Sequence, residues 1–261
     1  MSCKAVLLIA FITRNILQMK ILMIPFLIAL ASIGSCQQHE NMATTSASQK
    51  PIVIELFTSE GCSSCPSADK LLADMSDKNP NILLLSFHVD YWNRLGWLDS
   101  FSNAQFTKRQ YAYGSQMQLA SVYTPQAVVN GQRETVGSNR SNINNFIATK
   151  YQSSSIITNV KATINNKSVL VNIEANQLPK NYELVALLVQ PHAATKVITG
   201  ENGGSYLPHK NIVRDMTIIP SKSTTATLLA PFASTDWKVV VLVQNKADLH
   251  IVDASLVNVN R

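Results

Sequence analysis

Between Ile54 and Leu72 the sequence reads IELFTSEGCSSCPSADKLL, and this junction constrains the fold more than any other stretch. A nearly continuous apolar run, Pro51–Thr58, predicts a strand buried on both faces. It breaks at Ser59-Glu60-Gly61, and Cys62 and Cys65 follow. Ala68, Leu71, Leu72 and Met75 then recur at helical spacing, with Pro66 in the first turn, where its missing N–H costs nothing. A strand that must turn straight into a helix, with two thiols at the turn, predicts an α/β layer structure around a buried sheet.

The two cysteines gain weight from how few there are. The chain has four; Cys3 and Cys36 fall in an apolar N-terminal region, so Cys62 and Cys65 are the only thiols of the folded body. That region reads as a targeting segment spanning 1–36. Met19-Lys20 gives a short basic start, Ile21–Ile33 is apolar but short for a bilayer span, and small residues precede Cys36. Met19 is the expected start. Ile33-Gly34-Ser35-Cys36 resembles a bacterial lipobox, which predicts lipidation at Cys36, a membrane anchor and a periplasmic or secreted location; plain secretion or an uncleaved anchor are the alternatives. Residues 37–50 are small and polar, as a flexible tether is. Half of the formal charge of +6 sits on Lys4, Arg14 and Lys20 within the first 35 residues. No dense basic block remains beyond them, so nucleic acid is not an expected partner.

Beyond the cysteines, NILLLSFHVDYW predicts a second buried strand ending near His88–Asp90, and residues 102–118 an amphipathic helix. Asn130-Gly131 between two short apolar runs predicts a hairpin. Ser138–Tyr151, with Ile143, Phe146 and Ile147 on one stripe, predicts a further helix. The order is β-α-β-α-β-β-α over 51–152. From 153 to 261 the texture changes to long strands separated by turn residues, an all-β region read as a sandwich or a sheet extension, with Ser153–Thr158 as the candidate boundary.

Strand, turn, Cys-x-x-Cys and helix together suit thiol–disulfide exchange. A free cysteine ionises near pKa ~8.5, and a helix N-terminus favours the thiolate. Cys62 is then the exposed nucleophile and Cys65 the resolving thiol that attacks the mixed disulfide. A structural staple is the weaker reading, because a bond this local closes almost no loop and adds little stability. Zinc would need two more ligands, and the five histidines show no ligand spacing; no metal or cofactor is expected. Soft thiolates do suit Cu(I), so copper handling through the pair and His88 stands as an alternative. A non-enzymatic envelope binding module is another.

His88 and Asp90, at the carboxyl end of the second strand, are candidates for a proton relay beside Cys62. The alternative is a hydrogen-bonded core histidine and a capping aspartate. Tyr91, Trp92 and Trp97 either line a groove or pack the loop. Arg109 and Tyr113, four apart, share a helix face that reads as exposed and cationic. The glycine-rich GENGGSYLPHKNIVRD segment either folds back over the cysteines or forms a free hairpin tip.

Residues 51–151 resemble the thioredoxin superfamily. That resemblance implies a cis bond at Thr124-Pro125, directly before QAVVNG, lying opposite the cysteine pair where substrate backbone pairs. It also implies a buried acid serving Cys65; Glu55 is one residue out of register with it and is the candidate. Gly61 stands where thioredoxin itself often has tryptophan. Five ordered motifs, ELFTSEGCSSCPSAD, HVDYWNRLGW, RQYAY, VYTPQAVVNG and GENGG…NIVRD, further resemble the domain-of-unknown-function 1223 family of secreted bacterial thioredoxin-like proteins. Members usually carry an acid where this chain has Asn93. The resemblance implies fold and export, with protein or small-molecule thiols and disulfides as partners.

Overall fold

The computed structural model describes residues 50–220, 223–234 and 236–261. The targeting segment, the lipidation candidate Cys36 and nearly all of the tether lie outside the described residues.

The first half follows the expected order. Strand β1 (Ile52–Thr58) leads into helix α1 (Cys65–Lys78), then β2 (Ile82–His88), a single 3₁₀ turn at Asn93–Leu95 and α2 (Ala104–Gln116). Strands β3 (Gln126–Val129) and β4 (Arg133–Val136) form the hairpin around Asn130-Gly131, and α3 (Arg140–Ala148) closes the series. Helix α1 stops because Pro80 restricts the preceding residue: Asn79 is extended, at φ −129° and ψ 101°. Helix α2 starts where the Asn103 side chain accepts a hydrogen bond from the Gln105 N–H.

The second half supplies β5 (Ile157–Asn165), β6 (Ser168–Ala175), β7 (Tyr182–Lys196), β8 (Tyr206–Ile219), β9 (Thr225–Leu229), β10 (Lys238–Asn245) and β11 (Ile251–Asn258). Both expected architectures for this region are present at once. Four of these strands extend the first sheet, giving one eight-stranded sheet in the order β11-β10-β7-β8-β2-β1-β3-β4, while β5, β6 and β9 form a separate three-stranded sheet. The molecule is thus mixed α/β, dominated by one large sheet with few helices.

Strand alternation assigns the faces. Ile54 and Leu56 of β1 pack with Ala68 and Leu72 of α1 and Ile143 of α3. Val53 and Phe57 point the other way, into a cluster with Phe106 and Tyr113 of α2. The three-stranded sheet lays Val160, Val171 and Leu228 against Ala186, Leu188 and Val241 of the large sheet. β1 and β2 run parallel, with Thr58 opposite His88 at their carboxyl ends.

Strand β7 outruns its neighbours. β10 follows it only as far as Val189, where the β7–β8 register also shifts at a bulge. From there Gln190–Lys196 pairs with Tyr206–Ile212 alone, as a two-stranded arm whose tip is residues 197–205. Its root meets β2 through one parallel pair, Ser86 with Ile212.

Candidate functional site

Cys62 and Cys65 are joined as a disulfide, with Cα atoms 5.4 Å apart. Cys65 is the first residue of α1, where backbone N–H groups lack intrahelical acceptors. No acidic residue sits in that first turn, and Ser64 makes no side-chain cap there. Its hydroxyl lies 3.4 Å from Cys62 Sγ instead. The site therefore has the partial positive charge that favours a thiolate.

The exposure expected of Cys62 is not found. Cys62 is 1% exposed and Cys65 0%. The arm tip folds back onto the turn that carries the pair. The Asn202 amide donates to the carbonyl oxygens of Glu60 (2.8 Å) and Cys62 (2.9 Å), and the Glu201 carboxylate accepts from the Ser63 N–H at 2.9 Å.

On the opposite side, Gly61 lets the turn approach Trp92 closely: a Cβ on Gly61 would lie 3.2 Å from Trp92 Cβ. The Trp92 indole donates to Thr124 Oγ1 at 2.8 Å, and the Thr124-Pro125 bond is cis. Pro125 reaches the first turn of α1 through Gly137, whose missing Cβ would sit 3.3 Å from Pro125 Cβ and 3.1 Å from Ala68 Cβ. The sequence candidates Cys62, Cys65, Trp92, Thr124 and Pro125 are thus gathered around one helix start.

His88 joins them from beneath, with a partner other than Asp90. Its Nδ1 lies 2.7 Å from Asp99 Oδ2, both side chains fully buried. Asp90 lies past the end of β2 and is turned away, where it accepts from Thr107 Oγ1 at 2.6 Å and tethers α2. Glu55 is not near Cys65 either. It sits between Ile54 and Leu56, so alternation directs it to the α2 face, where Arg109 binds it through Nε (2.7 Å) and Nη2 (3.1 Å). Arg109 and Tyr113 are correspondingly buried, not an exposed cationic face.

Sequence reasoning missed four residues beneath the disulfide. Asp99 also accepts from the Glu60 N–H at 2.9 Å. The buried Glu60 carboxylate takes the Trp97 indole N–H at 2.8 Å and His209 Nε2 at 3.1 Å. His88 and His209 meet edge to face with ring centres 4.8 Å apart. Asp69 accepts from Thr58 Oγ1 at 3.1 Å. Only Asp69 left a trace in the sequence: it stands one helical turn after Cys65, on the same face. Among the described residues, no three His, Cys, Asp or Glu side chains converge as a metal-ligand set.

Burial alone would push His88 down, but the charge and hydrogen bond of Asp99, aided by Asp69 and Glu60, hold it above its usual 6.5. Burial raises Asp99, yet His88 and the N–H groups of Glu60 and Phe101 bring it below 3.8. Asp69 is raised by burial. A raised imidazole stabilises the fold below pH 6.5 and loses that contribution as pH climbs through its folded value. Asp99 contributes above 3.8 and loses its share as pH falls. Asp69, held above 3.8 by burial, begins to lose its contribution as pH climbs through 3.8, where the unfolded carboxyl releases its proton first. Melting temperature is therefore expected to decline as pH rises past 6.5. His88→Gln should flatten that decline in a calorimetric pH series.

Comparison with known proteins places this arrangement. The family described as "Protein of unknown function (DUF1223)" matches residues 53–244, which includes the cysteine turn, the Trp92 loop, the cis-proline and the arm. The chain belongs to the DUF1223 family. A crystal structure of a protein from Agrobacterium tumefaciens is similar to it, at 29% identity and a TM-score of 0.61. The match covers 80% of this chain and 96% of that one. A search of the curated proteins finds no match.

Proposed function

We propose that this DUF1223 protein is an exported thiol–disulfide exchange protein of thioredoxin-like type, acting through Cys62 and Cys65. The observation that carries the reading is the placement of the disulfide. It lies at an uncapped helix start, at the carboxyl ends of two parallel strands, with Trp92 against the turn at Gly61 and bonded to Thr124, whose bond to Pro125 is cis. The element order over residues 51–152 and the targeting pattern before Cys36 support the same reading, with Cys36 as the lipid anchor on the periplasmic side of a bacterial membrane.

In the oxidised form a partner thiolate attacks Cys62 Sγ. The Cys62–Cys65 bond breaks and its electron pair leaves on Cys65. A second partner thiolate attacks the mixed disulfide and releases Cys62. The partner leaves as a disulfide, and the protein keeps two electrons and takes up protons on its sulfurs. In the reverse direction Cys62 is the nucleophile and Cys65 the resolving thiol, with protein or small-molecule thiols and disulfides as partners. Trp92 and Thr124 line the approach. His88 is a positioning residue beneath the pair, holding the turn through Asp99 and Glu60.

Thiol trapping of the purified protein across a glutathione series tests this. A reversible two-electron couple between roughly −120 and −270 mV is the expected result. A pair that stays oxidised throughout the series removes the proposal.

A further inference from the structure

The cysteine turn is gripped by the tip of the arm. Residues 197–205 are held together by their own backbone: Val197 N–H to Ser205 O (3.0 Å), Gly204 N–H to Val197 O (2.9 Å), Gly203 N–H to Gly200 O (3.0 Å) and Ser205 N–H to Asn202 O (3.0 Å). Gly200 and Gly204 supply the left-handed turns this needs, at φ 77° and 87°. These bonds close the tip on itself. It reaches the body through few side-chain bonds: Asn202 to the Glu60 and Cys62 carbonyls, Glu201 to the Ser63 N–H, and Thr199 Oγ1 to Gly96 O at 2.6 Å. Behind the tip, a groove of about 490 Å³ lined by Pro66, Asp69, Ala73, Tyr206, Pro208 and His209 runs between the arm and α1, which Lys210 ties to Asp77. The root of the arm is fixed, by His209 to Glu60, Lys210 to Asp77, the Ser86 hydroxyl to Lys210 O and Asn211 to Leu84 O; beyond His209 it is two strands alone, the least stable form of sheet.

We propose that residues 197–205 are a lid over the Cys62–Cys65 disulfide, latched chiefly by Asn202 and opened by a bend of the two-stranded arm beyond the Ala193–His209 pair, with His209 staying bonded to Glu60. The inference rests on the exchange reading above, and explains how a pair with 1% and 0% exposure can react. Attack on a disulfide needs an approach to sulfur, and the closed lid denies it. Asn202 is the central latch because one amide grips carbonyls on both sides of Gly61, the turn that carries Cys62. Glu201 and Thr199 sit at the solvent-facing rim and hold less.

The test is the rate at which a water-soluble phosphine reduces the disulfide in the full folded chain, followed by alkylation of the freed thiols. Asn202→Ala removes two hydrogen bonds and should speed reduction roughly ten- to thirtyfold. Reoxidation should quicken by the same factor, leaving the potential unmoved. Reduction of Asn202→Ala at the wild-type rate overturns the lid, as does a faster rate matched by a shifted potential. If Asn202→Ala loses its fold by circular dichroism, the rim variant Thr199→Ala/Glu201→Gln replaces it, with an expected gain of roughly threefold or more; no gain overturns the proposal. A disulfide whose phosphine rate depends on the latch, yet which no thiol reduces, keeps the lid and ends the exchange reading. Exchange at latch-independent rates does the opposite.

Discussion

Glu55→Ala is expected to lower the stability of the protein by about 3–5 kcal/mol, the cost of leaving a buried cation without its counter-charge. Glu55 is fully buried on β1, and the Arg109 side chain is 8% exposed. Their contact is bidentate, and a neutral shell surrounds it. Tyr113 donates its hydroxyl to Glu55 and accepts from Arg109 at 3.1 Å, while Gln244 accepts from Arg109 at 3.1 Å and donates to Tyr113 at 3.0 Å. The guanidinium also lies over the Phe87 and Tyr113 rings, at 5.7 and 5.2 Å. These neutral groups cannot replace a carboxylate. The double variant Glu55→Leu/Arg109→Met removes both charges and should recover most of the loss. Urea unfolding midpoints for the two variants settle the matter: a single-variant loss below about 1 kcal/mol, or no recovery in the double, contradicts the account. Because Glu55 faces away from α1, the reduction rate of the disulfide in folded Glu55→Ala should equal that of wild type.

Gly131→Ala should cost about 2 kcal/mol or more, again by urea midpoint, for two independent reasons. Asn130 and Gly131 turn the β3–β4 hairpin at φ 48° and 67°, a left-handed pair that suits Asn-Gly. A Cβ on Gly131 would also overlap the Leu249 carbonyl oxygen and come within 3.3 Å of the His250 Cα. Backbone on both sides is pinned, so it cannot yield: Asn130 exchanges hydrogen bonds with Val53, and the Ile251 N–H donates to Asn130 O at 2.9 Å. Gly96→Ala is the internal control. Its φ is 96° but nothing lies within 4 Å of the added carbon, so it should lose only about 1 kcal/mol. Equal losses at the two positions would show that the Leu249 contact does not matter.

What could be read from the sequence was local. The strand-to-helix turn at Cys62, the end of β2 and the Asn130-Gly131 hairpin all follow from neighbours a few residues apart. The same holds for family membership, because its motifs are contiguous. Arg109 was misread for the opposite reason: its partner is 54 positions away, and nothing local to α2 announces a buried carboxylate. Asp99 and His209 reach the site from a loop and from the arm, 39 and 149 positions from Glu60. Asp69 was the residue within reach, four places after Cys65. Reading GENGG as either a cover or a free tip left open the question only tertiary contacts answer. Cys62 reads as exposed from its neighbours, while the arm tip that folds onto its turn lies 140 residues downstream.

The single stitch between β2 and β8 has a consequence for how the chain reaches its native state. Ser86, on β2, donates its hydroxyl to Lys210 O, 124 residues later, and Asn211 reaches Leu84 O at 3.0 Å. During synthesis that flank of β2 stays open to solvent until β8 has emerged. Loop closure over such separations comes before any reward from pairing, which puts completion of the sheet in the slow, millisecond-to-second class of non-local topologies. Until then the growing chain presents an open ribbon edge to its surroundings, and escape from aggregation depends on how soon the last third arrives.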